Sequence, residues 1–427
     1  MREADWLLIS EAIDRILEAV RPLSTETVPL VEAAGRTLAT DIESPIDQPP
    51  WANSAMDGFA VRSADVEGTS AATPRVLRVL ETVPAGGFPT RAVGPGEAIG
   101  IMTGAPLPDG ADGVIRIEHV RWRDEERIEI LDDADAGRNV RERGEDVRRG
   151  DIVLRAGSVV RAGEVGVLAT VGRSNISVHR RPRVGILSTG NELVDLDAFD
   201  RVLAGERIAN SNSYALSASV QAVGAEPVRL GIARDDADSL ANHLKPALAL
   251  DALVTTAGAS VGEHDLVKDA LERIGMRTLF WRVKIRPGSP FSFGLIERDG
   301  RSALPVFGLP GNPVSAIVTF EILVKPALRR MQARARVHAP TIRVRAAQRI
   351  VSPPGLVRFL RVTLERDLDE LPAARLTGGQ GSGILTSVAK ADALLVVPLD
   401  RESIEEGETA VAVPLRALDE AQAESGF

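Results

Sequence analysis

The chain has 427 residues, and a length of that order suggests roughly three domains rather than one core. Its formal net charge is -9 with a pI near 5.3, and 51 basic residues are interspersed among 60 acidic ones, which excludes the basic stripe of a nucleic-acid partner. Cysteine is absent, which excludes disulfides, a thiolate nucleophile, iron–sulfur clusters and Cys-based zinc; this fits a cytoplasmic chain, and any metal must be held by oxygen or by the five scattered histidines.

The segment Met1 to Val20 places Arg2, Glu3, Asp5, Glu11, Asp14 and Glu18 among Trp6, Leu7, Ile9, Ile13, Ile16 and Leu17. This is an amphipathic helix rather than the unbroken apolar core of a signal peptide. No apolar run reaches the ~20 residues that span a bilayer, so no membrane contact is expected. The helix ends near Arg21-Pro22. Residues from about 45 to 140 are rich in Gly and Pro with short β-like runs (Arg75 to Val83, Ala98 to Met102, Gly113 to Val120, Arg127 to Leu131), which predicts a compact β-rich domain. Mixed texture returns over 147–180, with a small-residue helix around Ala162 to Thr170. Residues 1–44 and 141–181 are therefore expected to form one discontinuous mixed α/β domain around the β-rich domain, 45–140.

From 182 to 332, β-runs alternate with helical stretches at Asn212 to Val223, Ala237 to Ala249 and Leu266 to Ile274. This alternation predicts a doubly wound, mostly parallel α/β domain with helices on both faces. Gly308-Leu-Pro-Gly-Asn-Pro313 opens a long helix, with Asn312 suited to the N-cap, Pro313 to the first helical position, and the free amides to an anion. After Pro340 the texture is β again (Thr341 to Arg345, Arg358 to Leu364, Ala393 to Val397, Thr409 to Val413), so 338–427 is read as a small C-terminal β-barrel-like domain.

The candidate site lies where the α/β strands end. Val184 to Leu193 runs from a β-stretch through Gly190-Asn191 to Glu192; Val228 to Ile232 leads to Asp235 and Asp236; Asp251 to Thr256 leads to Gly258, Ser260, Gly262 and Asp265. Open α/β sheets bind ligands at such carboxyl edges. A lone acid after a strand is more often a helix cap, and Asp235 or Asp236 alone would be read that way. Three acids from three consecutive units converge if the sheet is parallel, and they then need a cation such as Mg²⁺ or show raised pKa values. Glu192, Asp235 and Asp265 are the first-choice site, with the Gly258 to Gly262 amides positioned for a phosphate. Ala85-Gly86-Gly87 is read as a turn, and His264, lacking spaced partners, is given no role. Arg282, Lys284 and Arg286 alternate along a predicted strand and should share one face, either as a solvated edge or as a clamp on phosphate or another oxyanion.

Seven ordered motifs then resemble one family: Asn53-Ser-Ala-Met-Asp57-Gly-Phe-Ala-Val61, Ile101-Met-Thr103-Gly-Ala-Pro106, Arg143-Gly-Glu-Asp146, Ser188-Thr-Gly-Asn-Glu192, Ser260-Val-Gly-Glu-His-Asp265, Leu309-Pro-Gly-Asn-Pro-Val-Ser315 and Gly381-Ser-Gly-Ile-Leu-Thr-Ser387. Over nearly the whole chain they are similar to the molybdopterin molybdenumtransferases, the group that includes the E domain of gephyrin. The resemblance implies an elongated four-domain subunit that forms a homodimer, with the pterin bound on the α/β domain. It also implies Mg²⁺-dependent cleavage of adenylylated molybdopterin, insertion of molybdenum from molybdate, and release of AMP. On this resemblance Glu192, Asp235 and Asp265 hold Mg²⁺ and the substrate phosphates, while Asp57, Thr103 and Asp146 close the cleft from another domain.

Gly190, Asn191, Gly258, Ser260, Gly262, Pro310, Gly311, Asn312 and Ser315 line the pterin site by the same analogy. Molybdate falls to Arg282, Lys284, Arg286, Arg361 and to Ser382 or Ser387. Implied partners are the two small substrates, a second copy of the chain, and transiently the pathway's adenylyltransferase and recipient molybdoenzymes. The chain departs from the family pattern in reading Arg286-Pro-Gly-Ser289-Pro290 where Lys-Pro-Gly-Lys-Pro is usual, with Arg282 for the upstream lysine, Ala257 for the first glycine of a pair and Ala52 for an acid. Arginine changes donor geometry and Ser289 removes a charge. A non-catalytic molybdopterin-binding paralogue acting as carrier or scaffold, and a tungsten-inserting variant, stay open as alternatives.

Overall fold

The structure, a computed structural model, describes residues 6–256, 266–365 and 371–416. The chain divides into two compact units. The larger comprises residues 1–39, 157–161 and 175–427, and the smaller comprises 40–156 and 162–174. No helix among the described residues is long and apolar enough to cross a membrane.

Helix α1 (Ile9–Ala19) opens the larger unit and buries Ala12 and Ile16, one turn apart, as its amphipathic pattern requires. Strands β1 (Thr25–Pro29) and β2 (Thr37–Leu38) follow. The smaller unit carries a six-stranded sheet built from β3 (Gly58–Val61), β4 (Arg75–Val83), β5 (Glu97–Ile101), β6 (Gly113–Arg116), β7 (Val120–Trp122) and β8 (Arg127–Ile130), in the order β6-β3-β5-β4-β8-β7. Phe59, Leu77, Ile115 and Ile128 form one of its cores and Ala60, Ile99, Ile101 and Val114 another. Adjacent residues such as Phe59 and Ala60 thus point to opposite faces, as the two-residue period of a strand demands. Helix α2 (Ala162–Thr170) closes the unit, and the chain re-enters the larger one through β9 (Asn175–His179), which pairs antiparallel with β1 and β2.

The α/β portion contains β10 (Arg183–Thr189), α3 (Ser211–Ala222), β11 (Glu226–Ala233), α4 (Ala237–Leu244), β12 (Ala252–Thr256), α5 (Leu266–Arg273), β13 (Met276–Trp281), a two-residue strand β14 (Ile285–Arg286), β15 (Ser292–Arg298) and β16 (Arg301–Leu309). Its sheet runs β11-β10-β12-β16-β15-β13, with β11, β10, β12 and β16 parallel and β15 antiparallel to both neighbours. Both faces are covered, so the central strands β10, β12 and β16 are buried along most of their length. Ile186, Val254 and Phe307 face a core shared with α1 and α3; Leu187, Leu253 and Val306, each one residue away, face α4 and α5. Phe280, Phe293 and Phe307 stack through the first core, with centroids 5.7 and 5.1 Å apart.

After β16 a helical rod runs from α6 (Pro313–Thr319) through a π-helical turn at Phe320–Val324 into α7 (Lys325–Met331). Pro326 lacks an N–H and cannot continue a regular ladder, which accounts for the wider turn before it. The C-terminal strands are β17 (Ile342–Ala346), β18 (Val357–Glu365), β19 (Ala373–Leu376), then helix α8 (Leu385–Ala389), β20 (Ala393–Val397) and β21 (Thr409–Pro414). Pairing in the order β18-β19-β17-β21-β20 with β20 returning to β18 closes a barrel, and β14 adds to β18 from outside. The expected multidomain α/β and β architecture is the observed one.

Candidate functional site

Strands β10 and β11 are parallel neighbours, so the loops after Thr189 and Ala233 emerge on the same edge of the sheet. Gly190 takes φ +144°, and a Cβ there would lie 2.6 Å from a Glu192 carboxylate oxygen, so the turn that delivers Glu192 needs glycine. The two loops are bonded reciprocally: the Asn191 amide donates to Asp235 Oδ2 at 3.2 Å and the Asp235 amide to Asn191 Oδ1 at 3.3 Å. Asp236, not Asp235, caps α4, accepting from the Ser239 amide at 2.7 Å. The cap reading therefore belongs to Asp236, and Asp235 stays beside Glu192's loop. Asp265, Gly258, Ser260 and Gly262 lie outside the described residues.

Glu192 is exposed and lines a cleft of about 680 Å³ with Thr189, Asn210, Asn212, Thr256 and the Pro310-Gly311-Asn312 turn. Neither Asn210 nor Asn212 is a candidate site residue in the sequence reading; Asn210 is the N-cap of α3 and Asn212 lies in its first turn. Asn210 Oδ1 accepts from Ser188 Oγ at 2.8 Å and from the Ser213 amide, while its buried Nδ2 has no partner among the described residues. Asn212 Nδ2 donates to the Gly311 carbonyl at 2.7 Å and leaves its buried Oδ1 without a partner. Buried polar atoms left open in a cleft mark places where a ligand can bond. Asn312 occupies the N-cap position, but its side chain makes no cap bond. Of the helix's leading amides, that of Val314 donates to the Ser382 carbonyl at 3.1 Å. The anion site expected there is correspondingly reduced.

A second cavity of about 420 Å³ shares Pro290 and Asn312 with the first, so the two form one trough. Its lining includes Arg286, Arg358, Arg361, Ser289, Ser315 and Ser382, and no carboxylate among the described residues. Arg361 is fully buried; Nε donates to Ser387 Oγ at 3.1 Å, Nη2 to the Gly381 carbonyl at 3.2 Å, and Nη1 has no partner among the described residues. Burial holds its basicity below that of ordinary arginine. Arg358, which the sequence marks only as the start of a β-run, lies opposite Arg286 in the parallel β14–β18 register. Burial and the Arg286 charge both lower it. Like charges placed opposite one another are destabilising unless an anion compensates them.

The basic run is not one strand. β14 spans Ile285 and Arg286 alone, and Arg282 takes a positive φ of 76° with its guanidinium 5.2 Å from the centre of the Trp6 ring. Arg282 and Lys284 are half-buried, and only Arg286 of the three lines the trough.

In the smaller unit, Asp57 Oδ1 accepts from both the amide and the hydroxyl of Thr103, each at 2.7 Å. These bonds, the amide first, hold the Asp57 carboxyl below the usual 3.8. The depressed pKa means the contribution is present above the ordinary aspartate range and is lost as pH falls through the lower folded value. Carboxyl NMR should show Asp57 titrating below 3.8, and Thr103→Val, which keeps the amide, should return it part of the way. Asp146 is exposed on another loop, its amide donating to the Gln48 carbonyl at 3.0 Å.

Three family models match in chain order: the MoeA N-terminal region (domain I and II) over residues 7–172, the probable molybdopterin binding domain over 185–330, and the MoeA C-terminal region (domain IV) over 343–415. A molybdopterin molybdenumtransferase from a Nostoc species is 36% identical over 395 residues, 92% of this chain and 89% of the relative. The chain belongs to the molybdopterin molybdenumtransferase family. A second relative of that name, from Haemophilus influenzae, is 33% identical over 96% of this chain and 99% of its own. The crystal structure of a molybdopterin biosynthesis moeA protein from Pyrococcus horikoshii superposes with a TM-score of 0.82 at 31% identity, covering 96% of this chain and all of its own.

The Arg286 to Pro290 loop borders the arginine end of the trough. Ser289 Oγ donates to the Ile285 carbonyl at 2.5 Å, so the hydroxyl is turned into the loop's own backbone. Gly288 has φ +113°, and a Cβ there would sit 2.3 Å from Thr319 Cγ2. Gly288→Ala is therefore expected to lower stability by about 1–3 kcal/mol, read as a shifted denaturation midpoint, and to weaken oxyanion dependence by moving Arg286. An unshifted midpoint would show that the loop relaxes freely.

Proposed function

We propose that the chain acts in molybdenum cofactor biosynthesis, inserting molybdenum from molybdate into adenylylated molybdopterin with release of AMP. The observation that carries this reading is the polarity of the trough. Glu192, with Asp235 beside its loop, stands at one end, and three arginines, with no carboxylate among the described residues, stand at the other. A substrate that is a phosphoanhydride and an oxyanion that is tetrahedral and doubly charged fit those two ends.

Glu192 and Asp235 present only oxygen donors, which suits a hard cation that keeps one or two protein carboxylates and takes substrate phosphates. They would hold Mg²⁺, which when bound neutralises charge gathering on the phosphate oxygens. The protein's own part is placement. Asn191 fixes the Asp235 loop against the Glu192 loop, while Asn210 Nδ2 and Asn212 Oδ1 offer an open donor and an open acceptor. Water attacks the pterin-side phosphorus of the anhydride, the bond from that phosphorus to the AMP oxygen breaks, AMP leaves as the anion, and the water's proton passes to solvent. Arg361 Nη1, aimed from a fully buried side chain, and the Arg286–Arg358 pair hold molybdate beside the dithiolene. Arg358 supplies a cation in the same loop neighbourhood where Ser289 has lost one. A role for Asp57, Thr103 and Asp146 in the reaction, and a homodimer, are part of the same proposal.

AMP release from adenylylated molybdopterin with Mg²⁺, measured with and without molybdate, tests the reading. Molybdate-dependent release is the expected result. Tight pterin binding without release would favour the carrier, and equal or better release with tungstate would favour the tungsten variant.

A further inference from the structure

The end of the α/β sheet opposite the trough also carries a cavity, of about 670 Å³. Arg183 opens β10, Asp251 stands just before β12 and Arg301 opens β16, so the cavity lies at the amino edge of the parallel strands. Five arginines, Arg21, Arg180, Arg183, Arg298 and Arg301, line it against one carboxylate among the described residues, that of Asp251, in a protein whose net charge is -9.

That carboxylate is already engaged. Arg180 holds it bidentately with both bonds at 2.6 Å, and the Arg183 amide donates to Oδ2 at 2.9 Å. Arg298 is bound by carbonyls alone, those of Leu248, Leu250 and Ser302, at 2.6 to 3.0 Å. Its charge is fixed in place without an acid in contact. Arg21 likewise donates to the Glu18 and Val20 carbonyls at the end of α1. The Arg183 and Arg301 guanidinium groups are exposed and make no bond among the described residues. Two acids act on Arg180 from a distance, Glu226 and Glu26, and the second is paired to Arg36.

Apolar residues line the cavity as well, Ala19, Pro22, Leu23, Pro305 and Met331, and the Leu23 amide donates to the Met331 carbonyl at 2.8 Å. A half-open cavity of this size, with an excess of arginine and apolar surface among its lining residues, matches a small two-part ligand rather than an extended partner. Guanidinium forks suit phosphate oxygens, and two unbonded forks suit a dianion.

We propose that this cavity is a second ligand site that takes a nucleoside phosphate, its phosphate between Arg183 and Arg301 and its base against the Leu23–Met331 wall. The site is separate from the trough, since no residue lines both.

Calorimetric titration of the full chain with ADP, without divalent cations so that the trough's carboxylates lack their metal, tests this. Saturable binding is expected, weakened at least tenfold in Arg183→Gln/Arg301→Gln, because each charge-assisted bond is worth about a factor of ten or more. Arg361→Met, in the trough, should leave it unchanged. Inorganic phosphate, lacking a base, should bind at least about tenfold more weakly than ADP. The proposal is overturned by absence of saturation up to about 10 mM, by affinity unmoved in the double variant, by loss in Arg361→Met instead, or by equal affinity for phosphate and ADP. Both arginines are exposed, so the double variant should fold, and an unchanged melting temperature verifies that.

Discussion

Arg361→Met should raise the molybdate concentration for half-maximal AMP release by about a hundredfold or more while leaving the protein as stable as before. The two halves of this expectation come from the same facts. Arg361 is fully buried, its side chain bonds to one hydroxyl and one carbonyl, and no acid among the described residues lines its cavity. A buried charge without an ionic partner is a liability to the fold, and an apolar side chain of similar length replaces it at little cost. An oxyanion that bonds Nη1 reverses the balance, because charge-assisted bonds are worth about 1.5–3 kcal/mol each and two of them account for a hundredfold change. Arg361→Lys keeps the charge without the fork and should fall between, at roughly tenfold. A variant that unfolds readily yet binds molybdate normally would make Arg361 a structural residue and move the oxyanion elsewhere.

Glu192→Gln should lower the rate of AMP release by about 10²–10³-fold and raise the Mg²⁺ requirement, since transition-state charge stabilisation of this kind is worth about 3–4 kcal/mol. The side chain is exposed in the cleft, so stability should be unaffected. Excess Mg²⁺ should restore part of the rate if the carboxylate holds the ion, and none of it if Glu192 acts only on the attacking water. Asp236→Ala is the matched control: it removes the α4 cap, worth about 1 kcal/mol, without touching the cleft. Turnover that stays normal in Glu192→Gln and falls in Asp236→Ala would show that the strand-end acids serve the fold alone.

These contrasts rest on distinctions that only the folded chain makes. Asp235 and Asp236 are adjacent and chemically identical in the sequence, and both fit a helix cap. The three-dimensional answer depends on which carboxylate reaches the Ser239 amide and which reaches Asn191, two loops apart. Arg282, Lys284 and Arg286 alternate as a strand would, yet the ladder begins only at Ile285, where β18 of the barrel supplies hydrogen bonds. Arg358 carried no local signal because its role comes from lying opposite Arg286, some seventy residues earlier in the chain.

What the amino-acid sequence determined by itself is local and periodic. The alternation of β-runs with helices predicted the doubly wound sheet, turn chemistry at Gly190 predicted where an acid would emerge, and ordered motifs predicted the family. Those signals lie within a few residues of one another, where backbone sterics and hydrophobic period act directly. Tertiary structure alone decided that Arg361 is buried with one unbonded nitrogen, that Asn210 and Asn212 face the cleft, and that five arginines gather at the far edge. Burial and charge balance are sums over residues distant in the chain, and no short window of sequence contains them.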